Sequence, residues 1–150
     1  MRVLIQRASK ASVTIDGKIH SKIDQGLVVL LGIENEDSHE DIDFLVKKII
    51  NLRIFDDNHG VMNLSLVDIK GEILIISQFT LHAMTKKGNR PSYIKAAPPK
   101  IAIPLYNRFV DQLQNSLNKE IKTGVFGAHM EVELINDGPV TIWIDSKNRE

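Results

Sequence analysis

The segment that most constrains the fold is the uninterrupted apolar run GLVVLLGI at positions 26–33. A run of this length and composition predicts a buried strand. Three shorter runs precede it, at 2–7, 11–15 and 18–23, and an Asp-Gly turn separates the last two. The opening of the chain is therefore predicted to form a sheet.

Two helices are predicted from apolar spacing. Ser38 is a favourable N-cap, and the apolar positions that follow it have helical periodicity, which predicts a helix over 39–51. A spacing of four from Leu105 to Leu117 predicts a second helix that ends near Lys119 and either starts or bends at Pro104. Further strands are predicted near 61–66, after the turn at 70–71, and at 129–135 and 140–144. We expect a single α+β domain over 1–150, with an antiparallel-rich, barrel-like sheet and two main helices packed against it.

Composition excludes several classes of site. The chain has no cysteine, so disulfides and thiolate chemistry are absent. The five histidines show no ligand spacing, and no glycine-rich phosphate loop is present, so we expect neither a metal nor a cofactor. The apolar stretch near the amino terminus is too short for a signal peptide, and we expect a cytoplasmic protein without membrane contact.

Charge is balanced overall but unevenly distributed. Lys plus Arg and Asp plus Glu both total 19, yet no acidic residue lies between Glu72 and Asp111. Six cations fall inside that window: Lys86, Lys87, Arg90, Lys95, Lys100 and Arg108. Such a segment is either a solvated face or a surface for a polyanion. One hypothesis is therefore a non-catalytic RNA-binding module.

The segment ISQFTLHA at 76–83 is predicted to continue a strand. On a strand, Gln78, Thr80 and His82 share one face. This placement leaves two interpretations open, a chance arrangement or an esterase in which His82 activates Thr80 toward small esters.

The segment ELINDGPVTIWID at 133–145 contains two alternating apolar runs that are interrupted by Asn136, Asp137 and Gly138. These residues are typical of a hairpin turn. Pro139 has no backbone donor, so it belongs at the first residue of a strand, at an edge or at a bulge. A cis peptide is inexpensive only before proline, but the residues alone favour a plain turn.

Five blocks of the sequence, taken together, resemble the D-aminoacyl-tRNA deacylases. The blocks occur in the same order and span nearly the whole chain: LIQRASKASVTIDG, RIFDDNHGVMNLSL, SQFTL, KGNRPSY and NDGPVT. The resemblance implies a cytoplasmic homodimer with a barrel-like fold. It also implies hydrolysis of the ester that joins a D-amino acid, or glycine mischarged on alanine tRNA, to the 3′ end of tRNA.

The resemblance also implies roles for individual residues. Gly138 and Pro139 are expected to form a cis dipeptide that enters the pocket of the partner subunit and excludes L side chains. Arg7 is expected to hold this dipeptide, and Met130 to form part of the pocket wall. The segment Ser77, Gln78, Phe79 and Thr80 is expected to lie beside the scissile ester, and Lys86, Lys87 and Arg90 to contact tRNA phosphates.

Overall fold

The computed structural model describes residues 1–149. Eight strands, two α-helices and one 3₁₀ turn occur in the following order: β1 (Arg2–Ile15), β2 (Lys18–Ile23), β3 (Gly26–Gly32), α1 (His39–Asn51), β4 (Phe55–Asp56), β5 (Met62–Leu64), β6 (Glu72–Ser77), the 3₁₀ turn (Phe79–His82), α2 (Pro99–Leu117), β7 (Lys122–Thr123) and β8 (Glu131–Asp145). No helix within residues 1–149 is long and apolar enough to cross a membrane.

The main sheet has six strands in the order β2-β1-β3-β6-β7, with β8 paired to β1. The predicted runs at 2–7 and 11–15 are halves of one strand, β1. Its first half pairs with β3 and its second half with β2, while β8 pairs along almost its whole length. The Ser21 hydroxyl donates to the Thr123 carbonyl at 2.7 Å, which links β2 to β7 and nearly closes the sheet into a barrel.

The sheet is mixed, which corrects the antiparallel-rich description. Strands β3 and β6 are parallel, and so are β6 and β7. Two parallel strands need a crossover connection, and α1 with the small β4–β5 sheet lies in the crossover between β3 and β6. The apolar run at 26–33 is buried for the same reason, since β3 is flanked by β1 and β6.

Helix α1 has the predicted bounds. Helix α2 ends close to the predicted residue but starts at Pro99, so Pro104 lies inside it and does not begin it. Proline is well suited to the first helical position, because the amide there has no intrahelical acceptor. Both helices pack on one face of the sheet through residues such as Leu45, Ile49 and Phe109, all fully buried.

The prediction of a hairpin at 133–145 is wrong. Residues 131–145 form one strand, and both halves pair with β1 and not with each other. The register shifts where Gln6 pairs with Thr141 while Ala8 pairs with Asn136. The four residues 137–140 therefore form a bulge opposite Arg7. The Asn136 side chain closes the base of this bulge, because it accepts from the Val140 amide and donates to the Thr141 hydroxyl, each at 2.9 Å.

A buried charged cluster joins the start of β1 to α1 and to the residue that follows β8. The Met1 ammonium group donates to Asp37 and to the Ser146 hydroxyl, which in turn donates to Asp41 at 2.6 Å. Burial alone raises the pKa of Asp41, but hydrogen bonds from Ser146, Ser38 and Lys147 outweigh it and lower the pKa to about 2. The ionised Asp41 carboxylate therefore stabilises the junction of these elements.

Replacing Asp41 with Asn is expected to lower the free energy of unfolding at pH 7 by about 2 kcal/mol, from the pKa difference between folded and unfolded states. Because the folded pKa is depressed, this contribution is present above pH about 4 and is lost as the pH falls toward 2. Urea denaturation at pH 7, 4 and 3 measures it. Glu40→Gln is the matched control, since Glu40 lies in the same helical turn but is exposed. An equal loss in both variants would contradict a specific role for the cluster.

Candidate active site

A cavity of about 280 Å³ opens where β3 and β6 end. Ser77, Gln78 and Phe79 form one wall of the cavity. Met130, which immediately precedes β8, forms part of another wall. The other lining residues of the cavity come from the ends of β3 and β6, the residues around the start of α2, the segment before β8 and β8 itself: Leu31, Ile33, Ile76, Ala97, Ala102, Phe126, Gly127, Ala128, His129 and Val132. The structure thus brings together four of the predicted site residues.

The strand that was predicted through residues 76–83 ends at Ser77. The Gln78 amide still donates to the Leu31 carbonyl at 2.7 Å, and the chain then turns into the 3₁₀ turn. The side-chain amide of Gln78 donates to the Thr80 hydroxyl at 2.6 Å, so these two side chains are held together at the rim of the cavity. The prediction that Gln78, Thr80 and His82 share one face of a strand is therefore wrong.

The 3₁₀ turn packs closely on β3 because position 32 is a glycine. A β-carbon at Gly32 would lie 3.0 Å from the Gln78 carbonyl oxygen, 3.0 Å from the Leu81 β-carbon and 3.1 Å from the His82 ring. These distances are shorter than ordinary van der Waals contact, so the absence of a side chain at position 32 sets the position of the turn.

His82 lies beneath the turn and not in the cavity. Its side chain is 0% exposed, and neither ring nitrogen has a hydrogen-bond partner among residues 1–149. Within residues 1–149, Gln78 is the only side chain that hydrogen-bonds to the Thr80 hydroxyl. The imidazole is therefore not placed to take a proton from Thr80, and the geometry contradicts the esterase hypothesis.

Arg7 holds the bulge in β8. Its guanidinium is nearly buried and donates to the Asp137 carbonyl at 3.0 Å, the Ile54 carbonyl at 2.7 Å and the Asp56 carboxylate at 3.2 Å. The Asp137 carboxylate also lies 3.2 Å from the same side chain. Arg7 thus fixes the bulge to β1 and to the segment leading into β4.

Gly138 and Pro139 form the exposed tip of the bulge, and the peptide bond between them is cis. Gly138 has φ +130°, and a β-carbon there would lie 2.8 Å from the Val140 side chain. Neither residue lines the cavity of its own chain. Val132 is the residue of β8 that lines the cavity, and it precedes Gly138 by six residues along the strand.

The basic segment borders the cavity. Backbone hydrogen bonds between Met84 and Ser92, 2.8 and 3.0 Å long, close the loop that contains Lys86, Lys87 and Arg90. Tyr93 contacts Phe79 edge to face with ring centroids 5.0 Å apart, which holds the loop next to the cavity wall. The three cations are exposed, and none makes an ion pair within the described chain.

Sequence reasoning did not identify several residues of the site. Phe126 and His129 lie in a segment without periodicity, and Ala97 and Ala102 resemble ordinary loop and helix residues. They reach the cavity only because α2 and the segment before β8 meet at the open end of the sheet. The sequence contains no local signal that identifies them.

The description of the family model that matches residues 4–145 is D-Tyr-tRNA(Tyr) deacylase. The chain belongs to this family. Two relatives named D-aminoacyl-tRNA deacylase, from Flavobacterium psychrophilum and Bacteroides fragilis, are 66% and 67% identical over 150 residues, with all of both chains covered. Membership of a deacylase family makes the chain a hydrolase, so a purely RNA-binding role is not supported.

Solved structures agree on the fold. The structure named c-Myc DNA Unwinding Element Binding Protein has a TM-score of 0.92 and 44% identity, and the match covers 97% of this chain and 98% of that one. A probable eukaryotic D-amino acid tRNA deacylase has a TM-score of 0.82 at 17% identity, covering 95% and 97% of the two chains. The second match shows the shared barrel-like fold.

Gly32→Ala is expected to reduce hydrolysis of D-aminoacyl-tRNA by about tenfold or more, because displacement of Gln78 and Leu81 moves Phe79 and Thr80 from their positions at the cavity. Release of labelled D-tyrosine from D-Tyr-tRNA measures the effect.

Val29→Ala is the control, since it opens a cavity elsewhere in β3 without touching the turn. Urea denaturation places both variants on one stability scale. If Val29→Ala loses as much activity as Gly32→Ala at equal stability, the loss reflects general destabilisation and the positioning argument fails.

Proposed function

We propose that this protein hydrolyses the ester bond of D-aminoacyl-tRNA in the cytoplasm and selects against L-aminoacyl groups with the Gly138–Pro139 bulge of a second subunit. The observation that carries the proposal is the bulge itself. It is anchored by buried Arg7 and by Asn136, its tip is exposed, and it is remote from the cavity of its own chain. A homodimer supplies the tip to a cavity that otherwise lacks it.

Selection by handedness requires main chain more than side chains. D-amino acids differ from one another in their side chains but share the direction in which the side chain leaves the α-carbon. A fixed backbone segment close to that carbon occupies the volume of an L side chain and leaves the D direction free. Glycine has no side chain to exclude, and so glycine mischarged on alanine tRNA is accepted as well.

Catalysis in this proposal depends on the 3₁₀ turn. Phe79 and Thr80 are its first two residues, and amides at the start of a helical turn have no acceptor within the turn. Two such amides beside the scissile ester stabilise the oxyanion, and removing one donor from a site of this kind costs about 2.7–4 kcal/mol.

Thr80 is assigned a positioning role and not that of a nucleophile. Its hydroxyl is bonded to Gln78, and no general base is among its side-chain partners within residues 1–149. The 2′-hydroxyl of the terminal adenosine is available to activate water, while Gln78 and Thr80 orient substrate at the rim. Ser77 and Met130 complete the cavity walls.

Purified protein is expected to release D-tyrosine from D-Tyr-tRNA and glycine from Gly-tRNA(Ala), while L-Tyr-tRNA remains intact. Matched D and L substrates with labelled amino acid give the ratio directly after subtraction of spontaneous hydrolysis. Equal release from both enantiomers refutes chiral selection, and release from neither refutes the deacylase activity.

The same assay examines cross-subunit delivery. A cavity variant, Gln78→Ala, and a bulge variant, Gly138→Ala, are each expected to lose selective hydrolysis as homodimers. Mixed in equal amounts and allowed to exchange subunits, they form hybrid dimers in which one cavity meets one intact bulge, so about one quarter of the wild-type sites are restored. No recovery in a mixture shown by mass to contain hybrids places the bulge in its own subunit and contradicts the proposal.

The triple variant Lys86→Ala, Lys87→Ala, Arg90→Ala is expected to weaken the salt dependence of kcat/KM, with the slope of log kcat/KM against log salt concentration reduced by about 2. The reason is that each phosphate contact releases condensed counterions. Lys10→Ala, Lys18→Ala, Lys22→Ala is the control, because it removes the same charge from exposed positions on β1 and β2. An unchanged slope in the first variant excludes the loop from the tRNA contact.

A further inference from the structure

His82 is a buried titratable side chain that the reaction does not use directly. Its imidazole is fully enclosed, and both ring nitrogens lack hydrogen-bond partners within residues 1–149. A buried polar group without partners costs free energy, and a buried imidazolium costs considerably more. The neutral ring is therefore the form that this environment accepts.

The surroundings of the ring come from three directions. Arg2, which donates to the neighbouring Leu81 carbonyl, and the Met1 ammonium group act on the ring as positive charges, while Glu34, after β3, acts on it as a negative charge. Both cations are paired elsewhere, Arg2 with Asp145 and Met1 with Asp37. The backbone of Gly32 adjoins the ring from β3, although that contact falls outside hydrogen-bond geometry. No carboxylate within the described chain makes an ion pair with the imidazole.

The ring is buried at the end of the turn to which the proposed function, on which this inference rests, assigns the oxyanion donors. His82 is the last residue of the 3₁₀ turn, and Phe79 and Thr80 are the first two. The turn is closed by the Ala83 amide, which donates to the Thr80 carbonyl at 3.0 Å, and Arg2 donates to the Leu81 carbonyl at 3.0 Å. Gly32 of β3 lies against the ring on one side, and the backbone of the turn is joined directly to it.

We propose that His82 is a positioning residue whose neutral imidazole supports the Phe79–Thr80 turn, and that its protonation displaces this turn and switches the enzyme off at acid pH. Protonation places a positive charge in a closed space where neither ring nitrogen has a hydrogen-bond partner within residues 1–149; Glu34 attracts this charge, while Arg2 and the Met1 ammonium group repel it. The imidazolium leaves this space for water, and Phe79 and Thr80 move with the backbone that connects them to it.

The direction of titration agrees with this geometry. Burial lowers the pKa of His82, and the two positive neighbours lower it further, while Glu34 and the Gly32 backbone act in the opposite direction. Because the folded pKa is depressed, the unfolded state binds the proton more readily. The stability that the neutral ring provides is present above pH about 6.5, the ordinary value for histidine, and is lost as the pH falls below it.

The experiment compares the pH profile of D-Tyr-tRNA hydrolysis from pH 5 to 8 in the wild type and in His82→Phe, a non-titrating ring of similar size. Both are expected to hydrolyse the substrate within about threefold of each other at pH 8. Below the lowered pKa of His82, the wild-type rate is expected to fall toward tenfold per pH unit relative to the variant. The titration of the substrate's own amino group cancels in this ratio.

Control variants test whether another histidine causes the acid fall. His59 lies exposed in the β4–β5 loop, and His59→Gln is expected to have the wild-type profile. His129 lines the cavity, and His129→Gln is expected to retain the acid fall whatever its rate at pH 8. Loss of the acid fall in His129→Gln would overturn the proposal, because the titrating group would then be in the cavity.

Two further results overturn the proposal. One is an identical acid fall in the wild type and His82→Phe. The other is a folded His82→Phe that is inactive at every pH, which would place the imidazole in the chemistry. If His82→Phe fails to fold, His82→Gln takes its place.

An NMR titration of the wild-type histidine rings gives a readout independent of deacylase activity. A pKa of His82 at or above the ordinary histidine value of about 6.5 refutes the proposal even if the enzyme assay fails. Circular dichroism at pH 5.5 must show a folded protein, since an acid fall that coincides with global unfolding also refutes a local switch.

Discussion

The structure depends on the pairing of both edges of β1. One edge carries β8 over almost its full length, and the other is divided between β3 and β2. The division occurs near Ala8, which is fully buried and pairs with Gly26 and Asn136. A β-carbon at Gly26 would lie 1.9 Å from the Glu72 carbonyl oxygen, so small residues are required where the strands converge. The register of β1 then sets both the coiling of the sheet and the position of the β8 bulge.

Features encoded by local periodicity could be predicted from the sequence. The apolar spacing and Ser38 place α1, where Asp41 accepts from the Ser38 amide at 2.8 Å as a capping residue. The uninterrupted apolar run of β3 identifies a strand at the centre of the sheet. The start of α2 could not be predicted in this way, because Pro98 and Pro99 resemble the preceding loop and only the packing on the sheet reveals them as helix N-cap and first residue.

The errors arose where a long-range contact overrides a local pattern. Asn-Asp-Gly followed by proline is a strong local turn signal, yet the flanking runs pair with β1, more than 120 residues away in sequence. The prediction that β6 continues beyond Ser77 was wrong for the opposite reason. β3 ends at Gly32 and provides no further pairing partner after the Gln78 amide. The resemblance predicted a site at Ser77 to Thr80 and Met130, but the placement of Ser77, Gln78, Phe79 and Met130 around one cavity follows only from the meeting of β3, β6 and β8.

The pairing of β1 with β8 joins Arg2 to Asp145 across 143 residues, through a salt bridge of 2.8 Å as well as the strand ladder. During synthesis, β1 leaves the ribosome before β8, so one edge of β1 has no partner strand until β8 follows. Before that pairing forms, the bulge has neither the β1 partner strand nor the Arg7 contact that hold it.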